Sequence, residues 1–195
     1  ITKDEYAFIS QHIGDLDNLE TLDHFETVLD HYKKLFRLNP KIIAHDQHPD
    51  YLSTRYAQEL KAENNDLRLI PVQHHHAHIV SCITENKVAP PVLGVAFDGT
   101  GYGEDGSIWG GEFLVVDYAK SQRLGHLEYI PMPGGESAIK KPFRMAISYL
   151  VNLLGKQILN QRLAFLETVE ERGLELIKKQ IEKNINSPLT SSCAR

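Results

Sequence analysis

The sequence predicts an α/β fold in which a mixed sheet is flanked by helices. Short apolar segments typical of buried strands alternate with amphipathic segments of about ten residues or more. Glycine-rich loops follow several of these apolar segments. Hydrophobic residues make up 42% of the 195-residue chain, which is enough to fill a core.

The first half of the chain predicts two successive strand–helix units. Apolar residues recur at three- and four-residue spacing before Asn39-Pro40, which indicates an amphipathic helix that ends there. Two short apolar runs follow, each leading through a polar loop into a helical pattern. In order, the predicted elements are a helix over 16–38, a strand over 41–44, a helix capped by Ser53 over 53–63, a strand over 68–72 and a helix over 74–85.

The second half predicts an antiparallel meander followed by helices. Aromatic and β-branched runs separated by glycine-rich turns favour the meander. In order, we predict a strand over 92–97, a turn over 98–106, strands over 108–116 and 123–130, a glycine-rich loop over 131–137, and helices over 138–154 and 159–183.

Composition excludes several classes of protein. The net charge of -5 and the absence of a long Lys/Arg run disfavour binding to a nucleic acid or an anionic membrane. No segment approaches the roughly 18 apolar residues of a membrane span, and residues 1–5 lack the apolar core of a signal peptide. We therefore expect a cytoplasmic protein, with Cys82 and Cys193 as reduced thiols.

Four histidines in five positions, His74, His75, His76 and His78, are the strongest chemical signal. They lie where a predicted strand leads into a helix, the place where open α/β sheets bind ligands. On a helix, His74 and His78 share a face, as paired metal ligands require. His75 and His78 could also converge, so spacing alone leaves the pair open, although we favour His74 with His78.

Two imidazoles need further ligands, and Asp98 is the leading candidate because it follows its own predicted strand. An alternative is a turn aspartate that bonds nearby backbone. Cys82 lies one turn beyond His78, but a small buried apolar role is favoured for it. Asp46 and His48 also follow a predicted strand, and for them an ordinary Pro-containing turn is favoured.

Two glycine-rich segments could contact an anion such as a nucleotide phosphate. Gly99, Gly101 and Gly103 permit positive φ and close backbone approach, and Thr100 adds a hydroxyl. Hairpins use the same residues, and the phosphate-loop pattern is missing. Gly134, Gly135 and Glu136 are similarly ambiguous, although a group of cations lies beside them: Lys140, Lys141 and Arg144.

Five motifs in series resemble the HypF family of carbamoyltransferases, in its C-terminal Kae1-like domain. They are SQHIGD (residues 10–15), HPDYLST (48–54), VQHHHAH (72–78), FDGTGYG (97–103) and MPGGE (132–136). The resemblance spans nearly the whole chain. It implies the actin/Hsp70/sugar-kinase (ASKHA) fold group and a relationship to tRNA threonylcarbamoyl transferases.

The resemblance implies a role in making the cyanide ligands of NiFe hydrogenase. In that family, ATP and carbamoyl phosphate give carbamoyl-adenylate in a YrdC-like domain. The Kae1-like domain then transfers the carbamoyl group to the C-terminal cysteine thiol of the partner HypE. ATP or carbamoyl-adenylate is thus the implied nucleotide, and neither nucleic acid nor membrane is an expected partner.

The resemblance also implies site residues. The family's H-x-x-x-H pair binds iron or zinc and corresponds to His74 and His78, and in related enzymes an aspartate at the position of Asp98 joins them. These three are the implied catalytic and metal-binding residues. His75 and His76 become neighbours of the ligands or structural residues. The implied nucleotide contacts are Gly99, Thr100, Gly101, Gly103, Gly134, Gly135 and Glu136.

In the implied mechanism, the metal acts at the acyl group of carbamoyl-adenylate while backbone N–H groups of residues 99–103 hold its phosphate. A thiolate then attacks the carbamoyl carbon and adenylate leaves. A further aspartate ligand occurs late in the family's domain. We therefore expect residues 1–195 to form a partial Kae1-like domain with its second lobe largely missing.

Two other functions remain open. One is an O-carbamoyltransferase or a tRNA threonylcarbamoyl transferase of the same Kae1-like fold, although the turn at residues 98–101 and the acidic charge favour carbamoyl chemistry over tRNA. The other is a non-catalytic fragment that docks a partner through the face around residues 10–15.

Overall fold

The computed structural model describes residues 1–155, 157 and 163–193. Contacts divide the chain into two units, Ile1–His74 and a second unit from His75 onward. The division falls at the first residue of a helix, α3 (His74–Glu85). His74 is therefore both the last residue of the first unit and the first residue of α3.

The first unit holds two small sheets and two helices. Its elements are β1 (Thr2–Lys3), β2 (Tyr6–Ala7), α1 (Leu19–Leu35), β3 (Ile42–Asp46), α2 (Leu52–Glu63) and β4 (Arg68–Val72). β1 pairs antiparallel with β2, and β3 pairs in parallel with β4. Asp46 lies opposite Val72, so β3 and β4 end at the same edge.

The predicted alternation of strands and helices in this unit is confirmed. α1 begins after Asn18, whose side-chain oxygen accepts a hydrogen bond of 2.9 Å from the Thr21 amide. The prediction that Ser53 caps α2 is wrong. Tyr51 has extended backbone, so the helix already begins at Leu52 and encloses Ser53.

The described part of the second unit is built on a five-stranded mixed sheet. Its strands are β5 (Val92–Tyr102), β6 (Ile108–Val116), β7 (Ser121–His126), β8 (Ile130–Pro131) and β9 (Leu189–Thr190). β5, β6 and β7 form the predicted antiparallel meander. The late strand β9 pairs in parallel with the start of β6 and antiparallel with β8, which makes the sheet mixed.

Besides α3, the described part of the second unit contains three helices: α4 (Glu136–Lys140), α5 (Phe143–Leu154) and α6 (Glu171–Lys183). The predicted helix over 138–154 is divided between α4 and α5. Pro142 causes the break, because proline disfavours helical backbone at the residue before it, and Lys141 leaves the helical region.

Two other predicted boundaries are wrong. The strand over 123–130 is β7 and β8, separated after His126. In the predicted helix over 159–183, residues 158–162 lie outside the described part of the chain, and α6 begins only at Glu171. Before it come a 3-10 turn at Leu166–Thr168 and two extended residues, Val169 and Glu170, that interrupt the helical pattern.

The predicted turn over 98–106 is mostly strand. β5 continues to Tyr102, and its pairing with β6 is interrupted by a bulge between Phe97 and Gly101. The chain reverses only afterwards, where the Gly106 amide donates to the Gly103 carbonyl at 2.9 Å. Asp98 therefore lies in a bulged strand, a feature that redirects side chains.

α3 packs unusually close to β5. Its residues Ile79 and Ile83 enter a core with Ala96, Trp109, Leu114 and Val116. A Cβ atom at Gly94 would lie 2.3 Å from the Ile79 Cδ1 atom. A Cβ atom at Gly101 would lie 2.3 Å from the His75 Cε1 atom. The two glycines thus set the distance between helix and strand.

Glu112 is a fully buried carboxylate on β6, with 0% exposure. Its Oε2 atom accepts a hydrogen bond of 2.6 Å from Arg123, whose guanidinium stacks 3.8 Å from the Trp109 ring centroid. Its Oε1 atom accepts from the amides of Gly110 and Gly111 and from the Ser191 hydroxyl. One side chain thereby joins β6, β7 and the segment around β9.

None of the described helices is long and apolar enough to cross a lipid bilayer.

We predict that Gly101→Ala lowers the free energy of unfolding by about 1 to 3 kcal/mol, because the new methyl group overlaps the buried His75 ring. Gly125→Ala is the matched control on β7, since nothing lies within 4 Å of a Cβ atom there. Its effect should stay within about 0.5 kcal/mol. Urea unfolding measures both values, and equal stability of the two variants would contradict the close packing.

We predict that Glu112→Ala lowers the free energy of unfolding by about 3 to 5 kcal/mol, because it leaves the buried Nε–H of Arg123 and two backbone amides without their acceptor. Glu104→Ala removes an exposed glutamate in the same unit and should change it by about 0.5 kcal/mol or less. Thermal unfolding followed by circular dichroism compares them. A Glu112 variant as stable as the Glu104 variant would refute the role of this carboxylate.

Candidate metal centre

α3 presents two histidine-containing stripes with different environments. His75, Ile79 and Ile83 follow at four-residue spacing and are all buried against the sheet. His74, His78 and Cys82 form the neighbouring stripe, which is half-buried at His74 and exposed at the other two. The preference for a buried Cys82 is therefore wrong, since the helix turns Ile79 and Ile83 rather than Cys82 toward the core.

The structure brings His74, His78 and Asp98 together. Each offers one ligand atom, and these atoms all lie within 4.8 Å of one another. The one-turn spacing on α3 sets the two histidines side by side. The His78 Nε2 atom lies 3.9 Å from the Asp98 Oδ2 atom.

Asp98 is oriented by its own backbone. Its Oδ1 atom accepts a hydrogen bond of 2.6 Å from the Gly99 amide, while Oδ2 faces the histidines. The bulge in β5 begins at this point in the strand. The alternative interpretation, a turn aspartate that bonds nearby backbone, therefore accounts for Oδ1 only. The Oδ2 atom lies near the histidines.

His75 and His76 do not occupy the same environment as the other two histidines. His75 has 0% exposure, and its Nε2 atom lies 3.6 Å from the Asp98 Oδ2 atom. Its ring lies above Gly101 and stacks near Trp109, with 6.3 Å between ring centroids. The His76 Nε2 atom bonds the Asp117 carbonyl at 2.9 Å, which directs that ring away from Asp98.

Asp46 is a residue near the site whose role the sequence did not reveal. Its Oδ2 atom lies 2.7 Å from the His74 Nδ1 atom, and its Oδ1 atom accepts a hydrogen bond of 2.8 Å from the His48 amide. Burial alone would raise the pKa of the Asp46 carboxyl, but these hydrogen bonds outweigh it and hold the pKa below its usual value. The preferred interpretation as a turn residue accounts for only one of its oxygens.

The glycines of β5 serve the packing of the fold in this structure, and their predicted contact with a nucleotide stays a prediction. None of Gly99, Gly101 and Gly103 has a positive φ. The Gly99 amide donates to Asp98 and the Gly103 amide donates to the Ser107 carbonyl at 3.0 Å. Gly101 and Gly103 instead make room for neighbouring rings, those of His75 and Trp109. Thr100 is half-buried within the bulge.

The second glycine segment does adopt positive φ, +87° at Gly134 and +54° at Gly135. Both amides are engaged within the fold, with the carbonyls of Asn186 and Met132 respectively. Glu136 is exposed and begins α4. Arg144 lies beside Gly134 and donates to Gln180 at 3.2 Å. Nucleotide contact by Gly134, Gly135 and Glu136 stays a prediction.

The donor set at α3 and β5 fits a divalent transition metal. Two imidazole nitrogens and one carboxylate oxygen are ligands that iron(II) and zinc both accept. Neutral imidazoles and one anionic carboxylate partly offset the charge of such an ion. The residues present are thus chemically suited to hold it.

Two family models together match most of the chain. The HypF Kae1-like domain matches residues 1–85. The second subdomain of the carbamoyltransferase Kae1-like domain matches residues 94–195. The boundary between these models lies close to α3, where the structure also divides.

Named relatives agree with the family models. Carbamoyltransferase HypF2 of Cupriavidus necator is 38% identical over 200 residues, covering 100% of this chain and 23% of the relative. Carbamoyltransferase HypF of Synechocystis sp. is 39% identical over 208 residues, covering 100% of this chain and 26% of the relative. The chain thus spans about a quarter of the length of these relatives.

Solved structures of similar proteins show the same fold. Full-length HypF in a phosphate- and nucleotide-bound form matches with a TM-score of 0.86 and 46% identity, over 98% of this chain and 29% of that one. HypF of T. kodakarensis matches with a TM-score of 0.80 and 34% identity, over 94% and 25%. The predicted α/β fold with a Kae1-like mixed sheet is thereby confirmed. The chain belongs to the HypF family of carbamoyltransferases and corresponds to its Kae1-like region.

Proposed function

We propose that this chain forms part of the centre at which a HypF-type enzyme transfers a carbamoyl group from carbamoyl-adenylate to the C-terminal cysteine thiol of HypE, during synthesis of the cyanide ligands of NiFe hydrogenase. The observation that carries the proposal is the cluster of donor atoms from His74, His78 and Asp98. Membership of a carbamoyltransferase family supports the reaction class.

The transfer requires an electrophilic carbamoyl carbon and a stabilised leaving group. The thiolate sulfur of the acceptor forms a bond to the carbamoyl carbon, and the bond from that carbon to the phosphate oxygen breaks to release AMP. An iron or zinc ion bound by His74, His78 and Asp98 would supply a Lewis acid for this step. The exposed position of His78 leaves the centre accessible to a large acyl donor.

The residues of this chain orient the centre. The Gly99 amide holds one oxygen of Asp98, and the buried His75 ring lies against the other side of that carboxylate. The Thr100 hydroxyl follows directly and is our candidate for a contact with the phosphate of the adenylate. A HypF relative that binds phosphate and nucleotide in its solved structure supports a nucleotide ligand.

A tRNA threonylcarbamoyl transferase is the less favoured function. A tRNA substrate requires many contacts between cations and phosphates, whereas this chain carries 26 acidic and 21 basic residues. A cysteine thiol on a protein acceptor does not require such contacts between cations and phosphates. The charge therefore favours transfer to a protein.

We predict that the chain binds one equivalent of Co²⁺, Zn²⁺ or Fe²⁺. His78→Ala should weaken binding by about 100-fold or more, since it removes a ligand, whereas loss of an outer partner costs about 10- to 100-fold. His76→Ala is the matched control on the same helix, because its ring bonds the Asp117 carbonyl. Cobalt absorption with a competing chelator measures both. A wild-type chain that binds no metal would contradict the proposal and favour a docking role.

We predict that His78→Ala, in a complete HypF protein carrying this sequence, slows carbamoylation of HypE by about 100-fold or more, the scale of losing an electrostatic stabiliser. His76→Ala should remain close to the wild type. Mass spectrometry of the HypE C-terminal peptide, with AMP release measured in parallel, follows the reaction. Carbamoylation by His78→Ala at the wild-type rate would rule out the centre as the site of transfer.

A further inference from the structure

We propose that Asp46 is a positioning residue for His74, holding the Nδ1–H edge of the imidazole toward itself and presenting Nε2 as the metal ligand. The inference rests on the proposed function, because it requires a metal at His74, His78 and Asp98. It adds a second carboxylate that acts through a histidine rather than on the metal.

The first support is the distance and burial of the pair. The Asp46 Oδ2 atom lies 2.7 Å from the His74 Nδ1 atom, within the range of a charge-assisted hydrogen bond. The two side chains are 18% and 26% exposed, so the bond is largely screened from water. An exposed ion pair would contribute little to stability, whereas a partly buried pair fixes the orientation of its two side chains.

The second support is the parallel pairing of β3 with β4. Asp46 is the last residue of β3 and lies opposite Val72, the last residue of β4. His74 follows Val72 by two residues and begins α3. The register of the two strands therefore brings the residues that carry the carboxylate and the imidazole to the same edge.

The third support is that Asp46 is itself anchored. Its Oδ1 atom accepts a hydrogen bond of 2.8 Å from the His48 amide. Its backbone carbonyl accepts one of 3.0 Å from the hydroxyl of Thr54, which is 2% exposed. Both carboxylate oxygens are thus engaged, one with backbone and one with His74. This arrangement suits a positioning residue better than a metal ligand.

The chemistry of the pair determines which imidazole nitrogen remains for the metal. An ionised carboxylate can only accept hydrogen bonds, so the hydrogen between the two residues belongs to Nδ1. The Nε2 atom then carries no proton, and its lone pair is the one that would coordinate a metal ion. A carboxylate on the far side of a histidine ligand also raises the basicity of the ligating nitrogen and fixes the ring orientation.

The test compares metal affinity in paired variants. Asp46→Ala should raise the Co²⁺ dissociation constant of the chain by about 10- to 100-fold, the usual effect of removing such a partner. Asp46→Asn should have a smaller effect, because its amide oxygen still accepts from Nδ1. Asp50→Ala and Asp50→Asn are matched controls four residues away, since Asp50 is exposed and pairs with Arg55. Both controls should bind Co²⁺ like the wild type.

A second readout needs no metal. Nitrogen-15 NMR of the metal-free chain should show His74 with its proton on Nδ1 in the wild type and a shift toward the Nε2–H form in Asp46→Ala. Circular dichroism identifies unfolded variants, and if Asp46→Ala does not fold, the comparison of Asp46→Asn with Asp50→Asn decides.

The failures of the two proposals differ. A wild-type chain that binds no Co²⁺ removes the metal centre, and the inference fails with it. A wild-type chain that binds Co²⁺, together with an Asp46→Ala variant of equal affinity, overturns the role of Asp46 alone. A wild-type His74 protonated on Nε2 overturns it as well.

Discussion

The close approach of α3 to β5 is the constraint on which the second unit and its candidate site depend. Gly94 admits Ile79 and Gly101 admits His75, so a side chain at either of these two positions would push the helix away from the strand. Burial of Ile79 and Ile83 against Trp109 and the β6 side chains stabilises that position. A helix set further from the strand would separate His78 from Asp98, whose atoms now lie 3.9 Å apart.

The site combines a rigid helix with an irregular strand. α3 fixes the spacing of His74 and His78, while the bulge of β5 and the Gly99 amide aim the Asp98 carboxylate at them. Within the first unit, the end of β3 brings Asp46 to His74. Two of the candidate ligands thus each have a hydrogen-bond partner of their own, which is how proteins fix the geometry of a metal centre before a metal binds.

Three carboxylates in the described part of this protein accept hydrogen bonds from backbone amides. Glu112 bonds two amides and a serine hydroxyl besides Arg123, and Asp98 and Asp46 each accept from an amide. A carboxylate without such donors would be costly to bury. The amides of Gly99, Gly103, Gly134 and Gly135 also donate hydrogen bonds within the fold, and nucleotide contact by these glycines stays a prediction.

The sequence by itself determined the strand–helix alternation, the meander, the family and the histidine spacing, because these depend on periodicity and on motifs local in the chain. Only the tertiary structure decided which histidine is buried. The face that α3 turns to the sheet buries His75 and leaves Cys82 exposed. The tertiary structure alone decided that residues 98–102 continue a strand, because the pairing of Gly101 with Trp109 is not a local property. It also decided the partnership of Asp46 with His74, which are 28 residues apart and meet through the parallel register of β3 and β4.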